Sequence, residues 1–393
     1  MKKVVLAYSG GLDTSYCAVY LAKEKGLEVH AVLVNTGGFD SKELERIKNK
    51  SKDVGIEHFK VIDVTKRFYT ECVKYLIFGN VLRNNTYPLS VSAERVFQAI
   101  AIAEYANEIG ADYIAHGSTG AGNDQVRFDL VFNVLANHIK VITPIRDQQL
   151  SRQSEVEYLS RHGVQLDWEK AKYSINKGLW GTSVGGSETL TSEGVLPSEA
   201  FPSQLKKEGY TDIKLSFLKG ELVGIDGKNM DSVEAIQQLE KVASEYAIGR
   251  DVHVGDTIIG IKGRVGFEAA SPLIILKAHH LLEKHTLTKW QQYWKEQLGN
   301  WYGMMVHEGQ FLDPVLRNIE EFLNDSQKRV EGEVTVRLEP YHFKVLGIHS
   351  KFDLMGGSFG QYGEINEGWS GEDVKGFTKI LSNQLNIYYS KDD

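Results

Sequence analysis

The chain has 393 residues, 42% of them apolar and 25% charged; that exceeds what one hydrophobic core usually serves, so two domains and a terminal appendage are expected. A net charge of −7 offers no broad positive field for a nucleic-acid backbone, and two cysteines, Cys17 and Cys72, are too few for a disulfide framework or a four-cysteine zinc site. Met1-Lys2-Lys3 runs straight into a short apolar strand, and no apolar run is long enough to cross a bilayer, so a cytoplasmic protein with no membrane and no nucleic-acid partner is expected.

Up to about residue 165, short β-rich apolar runs alternate with helical patterns, the signature of a doubly wound α/β domain with a parallel sheet. Val4 to Tyr8 reads as the first strand, Thr14 to Lys25 as a helix, and Val29 to Val34 as the second strand. A charged helix near Lys42 to Val54, a strand at Phe59 to Ile62, a helix from Ala93 to Ile109, and strands at Tyr113 to Ala115 and Lys140 to Pro144 complete this part. From 166 to about 365 the pattern becomes α+β. Ile213 to Leu218 and Glu221 to Ile225 flank Lys219-Gly220 as a tight hairpin, Glu333 to Ser350 gives a second antiparallel pair, and helices are expected at Ser232 to Tyr246, Ala278 to Leu298 and Pro314 to Asn324. After a Gly-rich stretch around Gly356, Gly357 and Gly360, residues 366–393 carry one helix from Glu372 to Tyr389. It is either folded back on its own domain or an arm that clasps a second subunit. Both cysteines lie in helical stretches and are expected to be buried packing thiols.

The first strand empties into Ser9-Gly10-Gly11-Leu12-Asp13-Thr14-Ser15 and then a helix. Two glycines let backbone N–H groups close on an anion, three hydroxyls add donors, and the helix N-terminus adds partial positive charge. Asp13 suits that setting if a magnesium ion lies between it and the phosphates. The alternative is a plain strand-to-helix turn capped by Asp13 and Thr14. The loop lacks the lysine of the Gly-x-x-x-x-Gly-Lys phosphate loop and the spacing of the dinucleotide fingerprint.

A second loop, His116 to Phe128, also follows a strand and carries Gly117, Gly120 and Gly122 with convergent polar side chains. Asn123 offers a donor and an acceptor, Asp124 can hold an ammonium, and Arg127 can grip a carboxylate with two N–H bonds. A polar surface loop with an Asx cap is the bland alternative. His116 reads as a structural strand-end histidine at least as readily as a catalytic one.

Ser-Gly-Gly-x-Asp-Thr resembles the pyrophosphate loop of the N-type ATP pyrophosphatases, and Ala7-Tyr8-Ser9-Gly10-Gly11-Leu12-Asp13-Thr14-Ser15 with Gly117-Ser118-Thr119-Gly120-Ala121-Gly122-Asn123-Asp124-Gln125-Val126-Arg127-Phe128 is similar to the argininosuccinate synthase family. The resemblance runs, with gaps, over most of the chain. It implies a HUP-like nucleotide domain (1–165), a synthetase domain (166–365), a C-terminal oligomerisation helix (366–393) and a homotetramer. It also implies a ligase that joins citrulline to aspartate through an adenylylated citrulline, with ATP as substrate and Mg2+ as cofactor. Carried over, ATP would meet Ala7 to Ser15, Val34 and Gly117, with Asp13 as the magnesium ligand. Citrulline would meet Tyr87, Ser92, Asn123, Arg127, Ser174 and Ser183, and aspartate would meet Thr119, Asn123 and Asp124. Asp13, Asn123 and Arg127 would position the reacting groups; no general base stands out.

The chain departs from the family pattern at two places. Between Ser174 and Gly186 an acidic position is missing, and Lys177 and Trp180 are new. Farther on, the glutamate and tyrosine that hold citrulline fall at Gly255 and Phe267. Either the neighbouring Asp256 replaces the glutamate, or the substrate is changed, for instance to a citrulline acylated on its α-amine that Lys177 could favour. A non-catalytic ATP-binding sensor is the alternative from another class.

Overall fold

Val4, Val5 and Leu6 are fully buried because their strand, β1 (Lys3–Ala7), is the middle of a five-stranded parallel sheet. The computed structural model describes residues 1–120, 122–164, 172–357, 362–363 and 367–391; Ala121, Gly360 and the expected domain limits at 165/166 and 365/366 fall outside the described residues. After β1 come α1 (Leu12–Lys23), β2 (Glu28–Asn35), α2 (Ser41–Asp53) and β3 (His58–Asp63). A helical run of α3 (Thr65–Phe68), a π-helical turn (Tyr69–Val73) and α4 (Lys74–Phe78) leads to α5 (Ser92–Glu108). Then follow β4 (Tyr113–Ala115), α6 (Asp124–Leu135), β5 (Lys140–Ile142), α7 (Pro144–Gln148) and α8 (Arg152–Arg161).

The strand order is β3-β2-β1-β4-β5, all parallel. The chain winds from β1 to β2 on one side and returns to β4 on the other, so the order reverses between β1 and β4. A crevice opens at their carboxyl ends, where open sheets bind ligands. One face of the sheet is covered by an apolar cluster that includes Tyr16 and Leu21 of α1, Ile47 of α2 and Leu159 of α8. The other face packs on Val96, Phe97 and Ile100 of α5.

The remainder builds two antiparallel sheets. One has the order β10-β9-β8-β13-β14 and the other β11-β12-β7-β6, with β6 (Ser174–Gly178), β7 (Gly181–Gly185), β8 (Thr211–Leu218), β9 (Glu221–Ile225) and β10 (Lys228–Asn229). After α9 (Ser232–Ser244) come β11 (Arg250–Asp256), β12 (Lys262–Glu268), α10 (Ala270–Thr286), α11 (Lys289–His307), α12 (Pro314–Ser326), β13 (Gly332–Glu339) and β14 (His342–His349). At the β8–β9 turn Lys219 has φ 49° and Gly220 φ 80°. Two successive positive φ angles match the strand twist of a two-residue hairpin, as expected from Lys-Gly. Val5 of the parallel sheet, Phe217, Ile274 and Val336 belong to one apolar cluster, so the second part shares its core with the first.

Three expectations are corrected. Residues 278–298 are not one helix: Leu287 is extended, and Thr288 caps α11 by accepting from Gln291 N while Gln291 reaches back to Thr288 N. The second loop becomes helix from Asp124 onward, with Asn123 at its cap. The tail is α13 (Gly371–Leu381) and α14 (Asn383–Tyr389), separated at Ser382. Phe377, Ile380, Leu381 and Leu385 on that tail are all exposed, so among the described residues its apolar side chains stay largely uncovered. Cys17 and Cys72 are fully buried, and burial raises both thiols, as packing cysteines require. No helix among the described residues is long and apolar enough to cross a membrane.

Candidate active site

The first loop sits where β1 gives way to α1. Gly10 takes φ 75°, with Ile47 of α2 against its α-carbon, which folds the chain tightly enough for Gly11 to open the helix. Ser9 Oγ lies 3.3 Å from Thr14 Oγ1 and accepts from Gly11 N, so the hydroxyls are held across the loop. Beneath it, Ala7 is half-buried, while Tyr8, Leu12, Ser15 and Val34 are buried; the Tyr8 ring meets Phe59 edge-on. Those four positions can meet a nucleotide only through backbone or by shaping the floor. Asp13 is half-buried and has Glu155 of α8 beside it. Burial first, then the Asp13 carboxylate, pushes Glu155 up to about 8, and its Oε2 has no hydrogen-bond partner.

The second loop leaves β4 and touches the first at Gly117, where a Cβ would lie 3.4 Å from Asp13 and from Thr14. His116 is buried, with Nε2 3.0 Å from Asp129 and Nδ1 accepting from Ser118 N, so it braces the loop's start as a structural residue. Asn123 Oδ1 accepts from Ile258 N at 2.9 Å, which pins the β11–β12 turn over the cavity. Asp124 does not stand free for an ammonium: Arg95 Nε donates to one oxygen at 3.0 Å and Arg127 Nη1 to the other at 2.8 Å. Arg127 is buried and also donates Nε and Nη2 to His307 O, so all three of its nitrogens are engaged. Burial first, then the charge of Arg127, pushes His307 down to about 3, which keeps its imidazole neutral.

These loops open on a cavity of about 570 Å3. Asp13 and Gly117 line its nucleotide side, and Thr119, Asn123, Asp124 and Arg127 line its middle. Tyr87, Ser92, Ser174 and Ser183 close the far side, brought by the turn before α5 and by strands β6 and β7. These ten expected residues therefore meet around one space.

Two profiles cover nearly the whole chain: the arginosuccinate synthase N-terminal HUP domain matches residues 3–165 and the arginosuccinate synthase C-terminal domain matches residues 173–388. The chain belongs to the argininosuccinate synthase family. It is 35% identical over 393 residues to the argininosuccinate synthase of Dictyoglomus turgidum, covering 99% of this chain and 98% of that one. It is 36% identical over 355 residues to that of Methanocaldococcus jannaschii, covering 89% of each, and 34% identical to that of Xanthomonas campestris, covering 98% of each.

The departures from the family pattern take physical form at the far side. Gly255 lines the cavity, but a Cβ there would lie 2.6 Å from His253 Nε2, so the His253 ring occupies the space that a longer residue at 255 would need. His253 is buried, stacks on Tyr87 at 5.0 Å, and is pushed down by burial and by Arg83. Asp256, one residue on, is exposed, lines the cavity as well and pairs with Lys262. Phe267 is fully buried beneath Tyr87, at 5.4 Å, and does not reach the cavity. Lys177 is exposed on β6 and does not line it either, and Trp180 is a core residue whose Nε1 donates to Pro88 O. Sequence reasoning missed Arg95, His253 and His307; no local motif marks them, because each enters from an element distant in the chain. Glu28, His30 and His58 cluster at the opposite, amino ends of β2 and β3, away from this crevice.

Proposed function

We propose that this chain is a cytoplasmic ligase that makes argininosuccinate or a derivative of it from ATP, aspartate and a citrulline-type ureido amino acid. The observation that carries the reading is the meeting of the two loops at the reversal between β1 and β4, with ten matching residues around one cavity. The ureido oxygen attacks the α-phosphorus of ATP and pyrophosphate leaves. The uncharged aspartate amine then attacks the ureido carbon, AMP leaves with the C–O bond broken, and one proton is released.

In this reading Ser9 to Ser15, with Val34 and Gly117, hold the nucleotide, the Gly10 to Thr14 backbone and hydroxyls facing the departing pyrophosphate. Asn123 and Arg127 position the ureido substrate with Tyr87, Ser92, Ser174 and Ser183, and Thr119 and Asn123 position aspartate. Asp124 acts through Arg95 and Arg127, setting the guanidinium that faces the cavity, instead of taking an ammonium alone. Magnesium fits Asp13 with Glu155, whose buried Oε2 lacks a partner and whose proton a cation would displace. The ion would neutralise the phosphates.

The test is pyrophosphate release by the purified chain in the presence of ATP and magnesium. Release should depend jointly on aspartate and a ureido amino acid, and Asp13→Asn should lower kcat by at least about a hundredfold, as expected for groups that neutralise transition-state charge. ATP binding without such release would assign the chain to the sensors and overturn the proposal.

A further inference from the structure

Resting on the reading that this cavity binds a ureido amino acid, we infer that the ureido substrate is a citrulline whose α-nitrogen is acylated by a short chain ending in a carboxylate. A free α-ammonium finds no uncommitted carboxylate among the described residues at this end. Both oxygens of Asp124 are engaged by Arg95 and Arg127, Asp256 lines the cavity but is exposed and paired with Lys262, and Asp13 lies on the nucleotide side. Position 255 is glycine, and the His253 ring fills the space beside it. Arg127 and Arg264 line the cavity, and the charge of Arg83 acts on His253, His307 and Asp256. Acylation turns the ammonium into a neutral amide and removes the need for a carboxylate.

The same place offers unpaired donors. Arg83 makes no side-chain hydrogen bond or ion pair among the described residues, and its Nε is buried. His253 Nδ1 and Ser92 Oγ are also buried without a partner. Buried polar groups are mostly satisfied, so the orphans Ser92 and His253 on the cavity wall, with Arg83 near enough for its charge to act on His253, mark a place for a polar ligand group. Arg83 begins the turn that ends at Tyr87, and Asn84 Nδ2 ties that turn to Val254 O of β11, next to Gly255. Arg83 and Asn84 of this turn also line a second cavity of about 330 Å3, with Trp301 and Met304 among others. An acyl chain leaving the α-nitrogen would run towards this turn, and its carboxylate would meet the Arg83 fork and His253 Nδ1–H in the neutral ring. The bonds made and broken at the ureido end are unchanged, and the product keeps the acyl group.

The experiment compares free citrulline, N-acetylcitrulline and N-succinylcitrulline as partners for ATP, magnesium and aspartate with the full chain. N-succinylcitrulline is expected to exceed free citrulline in kcat/KM by roughly tenfold or more, with N-acetylcitrulline between them. Arg83→Gln should raise KM for N-succinylcitrulline far more than for N-acetylcitrulline, with kcat little altered, and Arg83→Lys should restore part of the loss. Preference for free citrulline, equal use of the two acylated substrates, or an equal loss on all three in Arg83→Gln would overturn the inference and leave the ligase reading standing. If none of the three supports aspartate-dependent pyrophosphate release, both readings fall together.

Discussion

Asp124 illustrates how a residue's role is set by what reaches it. Taken alone, a carboxylate in a polar loop is a natural ammonium site; in the fold, two guanidinium groups span it and it becomes their orienting anion. Glu155 presents the reverse case, a helix residue with no motif around it that arrives beside Asp13 because α8 packs on α1. Its folded pKa, about 8, lies above the ordinary carboxyl value, so the native state binds more protons than the unfolded chain across that window. Stability from this group is therefore present at low pH and is lost as pH rises through about 8. Without nucleotide or magnesium, Glu155→Gln should raise Tm by a few degrees at pH 8 and change it little at pH 5. A differential scanning calorimetry series across that range checks the sign. With both ligands present, the same variant should weaken magnesium-dependent pyrophosphate release.

At the scale of elements, the two parts of the chain are joined by a buried polar cluster between α4, α10 and α11. Lys295 Nζ donates to Phe78 O and to Glu283, each at 2.8 Å. Glu283 also accepts from Asn80 and Gln327, and His279 bridges Asn80 and Gln327 through its two nitrogens. Burial alone would raise the Glu283 carboxyl, but His279 and Lys295 outweigh it and keep it ionised. Removing the lysine leaves a buried charge uncompensated, so Lys295→Met should destabilise by ~3–5 kcal/mol in urea titration. Adding Glu283→Gln should recover part of that loss by removing the charge. The break between α10 and α11 belongs to the same scale. Leu287 continues the apolar periodicity, so the pattern reads as one helix, and only the Thr288–Gln291 capping box ends it.

For the whole molecule, the tail is the feature that most requires a partner. Phe377 is 64% exposed and Ile380 77%, so the apolar stripe is present but the described residues of its own chain leave it uncovered. A subunit-clasping arm fits that stripe better than a helix folded back. Deletion from Gly371 onward should lower the assembly mass in light scattering, whereas an unchanged mass would assign the tail another purpose. The parallel sheet, the two glycine loops and the hairpin at Lys219-Gly220 were legible in the sequence because each depends on local chemistry: strand and helix periodicity, positive φ, and phosphate-sized backbone turns. The identities around the cavity were legible as well, since Tyr87, Ser92, Asn123, Arg127, Ser174 and Ser183 stand in recognisable local patterns. What the sequence could not determine were the encounters between distant segments. The meeting of Asp13 with Glu155, the bracing of Asp124 by Arg95, the filling of the space beside Gly255 by His253, and the unpaired Arg83 at the same end all depend on which elements pack together. Contacts of that kind carry no periodicity along the chain, so only the tertiary structure decided them.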